Sequence, residues 1–108
     1  SHNGPFILEK IGLFDSFDTI VDPGKLSRGK PDPEIFEVAS AQLGLTPKDC
    51  VGIEDSIAGI QAINSAGSCS IGVGDDKLSE AFRRVSSTKE LSVTLLQDSW
   101  KNFVNDKL

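Results

Sequence analysis

A chain of 108 residues is long enough for one modest hydrophobic core and short for two domains, so residues 1–108 read as a single unit. Its 38% hydrophobic and 25% charged residues, with no repeat or low-complexity tract, are ordinary for an ordered globular protein. Sixteen acidic against 11 basic residues give a formal net charge of −5, which disfavours nucleic acid or an anionic membrane and leaves a small molecule as the expected partner.

In chain order, Gly4-Pro5 has the form of a helix start, Phe6, Ile7 and Ile11 supply an apolar face, and Gly12 can stop the helix. A strand is expected over Asp18 to Val21. Asp32-Pro33 opens a second helix with Asp32 as its cap, and Ile35, Phe36, Ala39 and Leu43 form a buried stripe as far as Gly44. The run Cys50-Val51-Gly52-Ile53 has the continuous apolar character of a strand covered on both faces, and its carboxyl end carries Glu54 and Asp55. Ser56 can cap the helix that follows, on which Ile57, Ile60 and Ile63 share a face before Gly67. Ser70 to Val73 reads as a strand, Lys77 to Phe82 as a short helix, and the neighbourhood of Val85 as a weak strand. Val93, Leu96, Trp100 and Phe103 then recur at helical spacing. Strands alternating with helices predict an α/β fold with a parallel sheet, in which ligands bind beyond the carboxyl ends of the strands.

That rule draws attention to three residues. Glu54 and Asp55 offer hard oxygen donors suited to Mg²⁺ at a strand-to-helix turn, and a lysine delivered to the same crevice would counter charge on a transferring phosphoryl group. Lys30 is the candidate, set in a loop stiffened by Pro31 and Pro33. Taken singly, each of these residues has an ordinary structural role open to it, as a cap or a surface charge. Cys50 and Cys69 are isolated and read as two buried, reduced thiols. No apolar run has the length of a membrane span, and Ser1-His2-Asn3-Gly4-Pro5 lacks the regions of a signal peptide, so a cytoplasmic location is expected.

The combination is more specific than its parts. Gly29-Lys30-Pro31-x-Pro33-x-x-Phe36, followed by Gly52-Ile53-Glu54-Asp55-Ser56-x-x-Gly59-Ile60, resembles the third and fourth motifs of the haloacid dehalogenase superfamily of phosphotransferases. Within it the chain looks most like the β-phosphoglucomutase family, through Phe17-Asp18-x-Ile20-Val21-Asp22-Pro23, Ala62-Ile63-x-x-Ala66-Gly67 and Ile71-Gly72-Val73-Gly74. The resemblance implies that Lys30 contacts the transferring phosphoryl group, that Glu54 and Asp55 help hold Mg²⁺, and that Ser1, His2 and Asn3 grip the non-reacting phosphate of a sugar-phosphate substrate. His2 stands where that family usually has Lys or Arg, and would be only partly charged near neutral pH.

The nucleophile of the superfamily, the first Asp of an Asp-x-Asp at the end of an apolar strand, has no counterpart. Asp15-Ser16-Phe17-Asp18 has the wrong spacing, Asp75-Asp76 lacks the intervening residue, and Asp32-Pro33-Glu34 opens a helix. The resemblance therefore implies a partial Rossmann-like haloacid dehalogenase core without its first two strands or its helical cap. The strand at Cys50 to Ile53 would be left with an open edge, which is costly and promotes association. The expected partner is a complementary amino-terminal segment carrying the nucleophile; otherwise the chain self-associates or rearranges. The expected activity of the complete enzyme is β-phosphoglucomutase, towards which the loop Asp22-Pro23-Gly24-Lys25-Leu26-x-x-Gly29 leans by resemblance. The alternatives are a sugar-phosphate phosphatase of the same superfamily or a non-catalytic interaction fragment.

Overall fold

A computed structural model describes the backbone of Ile7–Lys10 and residues 26–74 and 76–106 in full. Its elements are β1 (Ile7–Lys10), α1 (Glu34–Gln42), β2 (Cys50–Glu54), α2 (Ile57–Ala66), β3 (Cys69–Val73), β4 (Arg83–Val85) and α3 (Val93–Asp106), with single 3₁₀ turns at Pro47–Asp49 and Thr88–Glu90. The sheet order is β1-β2-β3-β4. β2 pairs in parallel with β3, and β3 with β4, in the register Val51 to Cys69 and Ile71 to Arg83. The expected α/β architecture with its parallel sheet is therefore present.

Alternation along the strands divides the core in two. Cys50 joins Ile35, Phe36, Ala39, Ile60, Ala62, Ile63 and Leu78 on the face covered by α1 and α2. Val51, Cys69, Ile71 and Val85 point the other way and pack with Leu96 and Phe103 of α3. Burying both faces explains why β2 and β3 read as near-continuous apolar runs. The two thiols lie on opposite faces, so the free, buried Cys50 and Cys69 do not confront each other. Trp100 donates from Nε1 to the carbonyl of Lys48 at 3.1 Å and ties α3 to the turn that feeds β2.

Helix ends follow local chemistry. Ser56 caps α2 by accepting from Gly59 N, and Gly67 closes it in the left-handed conformation at φ 90°. α1 begins one residue later than the Asp32 cap implies: Pro33 is the boundary residue, and the Asp32 carboxylate instead accepts from Glu34 N at 3.0 Å.

Two expected elements are corrected. The helix opening at Gly4-Pro5 is not formed over Ile7–Lys10, which is the strand β1, antiparallel to β2 with Ile7 opposite Ile53 and Lys10 opposite Cys50. A buried strand with an unpaired edge needs partners for its N–H and C=O groups, and an extended neighbour supplies them where a four-residue helical segment cannot. The edge expected to lie open is thus occupied from within the chain, the rearranged outcome among those anticipated. Nor is Lys77 to Phe82 a helix; residues 76–82 form turns. Phe82 N donates to Ser70 Oγ at 2.9 Å instead of to the Leu78 carbonyl a helix would offer it, that carbonyl accepts from Ala81 N at 3.0 Å, and Asn64 Nδ2 donates to the Glu80 carbonyl at 2.9 Å. β4 follows as expected around Val85, and its exposed Arg83 and Arg84 give the outer edge a charged character that discourages further pairing. The strand expected over Asp18 to Val21 lies outside the described residues.

Candidate functional site

The carboxyl ends of the three parallel strands lie together, and β2 delivers Glu54 there. Cys50, Gly52 and Glu54 share one face of β2 by strand alternation, and that face is covered by α2. Glu54 consequently does not point to solvent; its side chain is only 4% exposed. A carboxylate so placed needs partners. Oε1 accepts from Asp55 N at 3.0 Å, Ser56 N at 3.3 Å and Ser56 Oγ at 3.2 Å, the groups at the start of α2. Negative charge is favoured at that end of a helix.

The second oxygen is held by Lys30. Its Nζ lies 2.6 Å from Glu54 Oε2, 24 residues away in sequence, and the lysine side chain is 18% exposed. The loop that carries Lys30 is shaped by hydrogen bonds of its own. Asp32 N donates to Gly29 O at 3.0 Å, closing a turn around Lys30 and Pro31, and Arg28 N donates to Glu34 Oε1 at 2.7 Å. Loop and strand end are thereby brought into one ion pair; the sequence reading expected them in one crevice, without this direct contact.

Asp55 follows Glu54 and is exposed at the mouth of the same turn. Lys30 and Glu54 therefore form an ion pair beyond the end of a parallel strand, with Asp55 next in the chain. Among the described residues no group of three or more His, Cys, Asp or Glu side chains converges as a metal site. A hard cation suits Asp55, whose carboxylate is exposed, whereas both oxygens of Glu54 already accept hydrogen bonds, one of them from Lys30. Ser1, His2 and Asn3, expected to bind a second phosphate, lie outside the described residues.

One contributor to the site was quoted from sequence only as part of a motif, with no role assigned to it. Gly59 sits in the first turn of α2, where a Cβ would fall on Cγ, Cδ and Oε2 of Glu54. A glycine three residues after a serine cap, beside an acidic strand end, was the available signal. Gly52 makes the corresponding allowance deeper in β2, where a Cβ would come within 2.7 Å of Ile63 Cγ1. Together these two glycines let α2 lie close against β2.

Comparisons with known proteins identify the family. Residues 2–67 match the family model of haloacid dehalogenase-like hydrolases. The chain is 44% identical over 104 residues to the β-phosphoglucomutase of Bacillus subtilis, an alignment covering 95% of this chain and 46% of that protein. It is 35% identical over 92 residues to hexitol phosphatase B of Escherichia coli, covering 80% of this chain and 41% of the relative. Among solved structures, a β-phosphoglucomutase from Clostridium difficile superposes with a TM-score of 0.77 at 42% identity, covering 87% of this chain and 43% of that one. The chain spans less than half the length of these relatives.

Proposed function

This chain belongs to the haloacid dehalogenase-like hydrolase family, and from that premise we propose that it is the carboxyl-terminal part of a β-phosphoglucomutase core, converting β-glucose 1-phosphate to glucose 6-phosphate when complete. The reading rests on the contact of Lys30 with Glu54 at the carboxyl end of β2, with Asp55 exposed beside it.

Lys30 Nζ counters negative charge on the transferring phosphoryl oxygens, and Glu54 holds that ammonium in place. Asp55 is the exposed residue of this chain that would hold Mg²⁺, Glu54 would join it only on yielding a hydrogen bond now made to Oε1 or Oε2, and further donors come from the complementary amino-terminal segment. The ion, when bound, neutralises charge on the phosphoryl oxygens. Ser1, His2 and Asn3 bind the sugar phosphate through its non-reacting phosphate. The nucleophilic Asp is supplied by the complementary segment, without which the chain is catalytically silent. Two free thiols support a reducing compartment, and the cytoplasm is the proposed location of the complete enzyme.

A second reading, a sugar-phosphate phosphatase, is favoured by the 35% identity to hexitol phosphatase B. One assay separates the two. Chain and complementary segment together, given β-glucose 1-phosphate and Mg²⁺, form glucose 6-phosphate under the mutase reading and release inorganic phosphate under the phosphatase reading. Asp55→Ala is expected to raise the Mg²⁺ concentration needed for half-maximal rate, and an unchanged Mg²⁺ dependence would remove Asp55 from the metal site.

A further inference from the structure

Glycine within a helix is about 0.5–1 kcal/mol worse than alanine, so Gly59 in the first turn of α2 calls for a reason. The reason is not backbone conformation, because Gly59 is helical and is not among the described glycines with positive φ, Gly44, Gly67 and Gly74. It is space: a Cβ at this buried position would coincide with Cγ, Cδ and Oε2 of Glu54. The same residue also donates from its N–H to Ser56 Oγ at 3.0 Å, and that hydroxyl donates to Glu54 Oε1 at 3.2 Å.

We infer that Gly59 is a positioning residue for the Lys30 site: its missing side chain forms the slot in which Glu54 lies, and Glu54, lying there, aims Lys30 across the end of β2. A methyl group in the slot drives the Glu54 side chain outward. That breaks its 2.6 Å contact with Lys30 and withdraws Oε1 from the start of α2. The inference extends the proposed function, because aiming Lys30 matters for turnover only if Lys30 faces the phosphoryl group.

The test is a cycle of Gly59→Ala and Glu54→Ala in the 108-residue chain, read by urea unfolding and by the nuclear Overhauser contact between Lys30 Hε and Glu54 Hγ. With Glu54 present, Gly59→Ala is expected to lower the folding constant and to abolish the Lys30 contact. With Glu54 already truncated, the slot is empty, and the same substitution is expected to raise the folding constant roughly two- to fivefold through helix propensity. This reversal of sign survives a poorly folded single variant, since Glu54→Ala and the double variant form their own comparison. The same effect of Gly59→Ala in both backgrounds, or an intact Lys30 contact in Gly59→Ala, overturns the inference. A separate failure is recognisable in the complemented enzyme: if Lys30→Ala leaves kcat unchanged, the functional reading falls while the steric one is still judged by the cycle.

Discussion

Replacing Lys30 with methionine keeps most of the side-chain volume and removes the charge facing Glu54. In the native arrangement the Glu54 side chain is 4% exposed, with three donors on Oε1 and Lys30 Nζ on Oε2 at 2.6 Å. Breaking a buried ion pair by removing one partner costs about 3–5 kcal/mol, because the remaining charge is stranded. The three donors kept by Oε1 and the partial exposure of Lys30 temper this, so about 2–3 kcal/mol is expected, in line with a hydrogen bond to a charged group. With a urea m-value of about 1.5 kcal/mol per molar, the unfolding midpoint falls by about 1.5 M. Adding Glu54→Gln removes the stranded charge, and the double variant is expected to recover at least half of the loss. A single variant within about 0.5 kcal/mol of the parent, or a double variant no more stable than the single, would refute the claim that this pair is a buried, mutually dependent unit.

Other consequences follow from the same packing. Burial, with a smaller contribution from Asp49, pushes the Cys50 thiol up to about 11, and burial pushes Cys69 up to about 12. Because both values are raised in the folded state, the protonated thiols contribute stability that is fully present below pH 9 and lost as pH rises towards 11–12; urea midpoints measured from pH 8 to 10.5 are expected to fall, and a flat profile would contradict their burial. Both thiols are expected to resist alkylation at pH 8 until the chain is unfolded. Ser56→Ala removes the cap of α2 and one donor to Glu54, an expected loss of about 1–2 kcal/mol by urea titration, and an unchanged midpoint would sink that assignment. Trp100→Phe deletes the bond from Nε1 to the Lys48 carbonyl and is expected to cost about 1 kcal/mol, checked by circular dichroism melts.

The parts of the fold governed by local chemistry were readable in the residues themselves. Ser56 and Gly67 mark the ends of α2 as capping rules require, and Cys50–Glu54 reads as a strand because it is buried on both faces. Motif spacing brought Lys30 and the acidic pair to one crevice, and the direct contact of Lys30 with Glu54, 24 residues away, was not anticipated. What was not legible depends on partners distant in the chain. Ile7–Lys10 looks helical by its neighbours and becomes a strand because the edge of β2 needs hydrogen bonds. Lys77 to Phe82 forms turns, with Phe82 N drawn to the distant Ser70 hydroxyl and the Glu80 carbonyl held by Asn64. The burial of Glu54 was hidden too, since an acidic residue before a capped helix ordinarily reads as solvated; only the register of β2 beneath Gly59 turns it inward.

The central claim is that this chain supplies the cation and acidic pair of a phosphoryl-transfer site and takes its nucleophile from elsewhere. Its most direct test is the rate of glucose 6-phosphate formation from β-glucose 1-phosphate with Mg²⁺, measured for the purified chain alone, with the complementary amino-terminal segment, and with that segment plus Lys30→Ala. The expected result is no turnover alone, turnover on combination, and a drop of about 10²-fold or more when Lys30 is removed. Turnover by the chain alone, or undiminished turnover without Lys30, would contradict it.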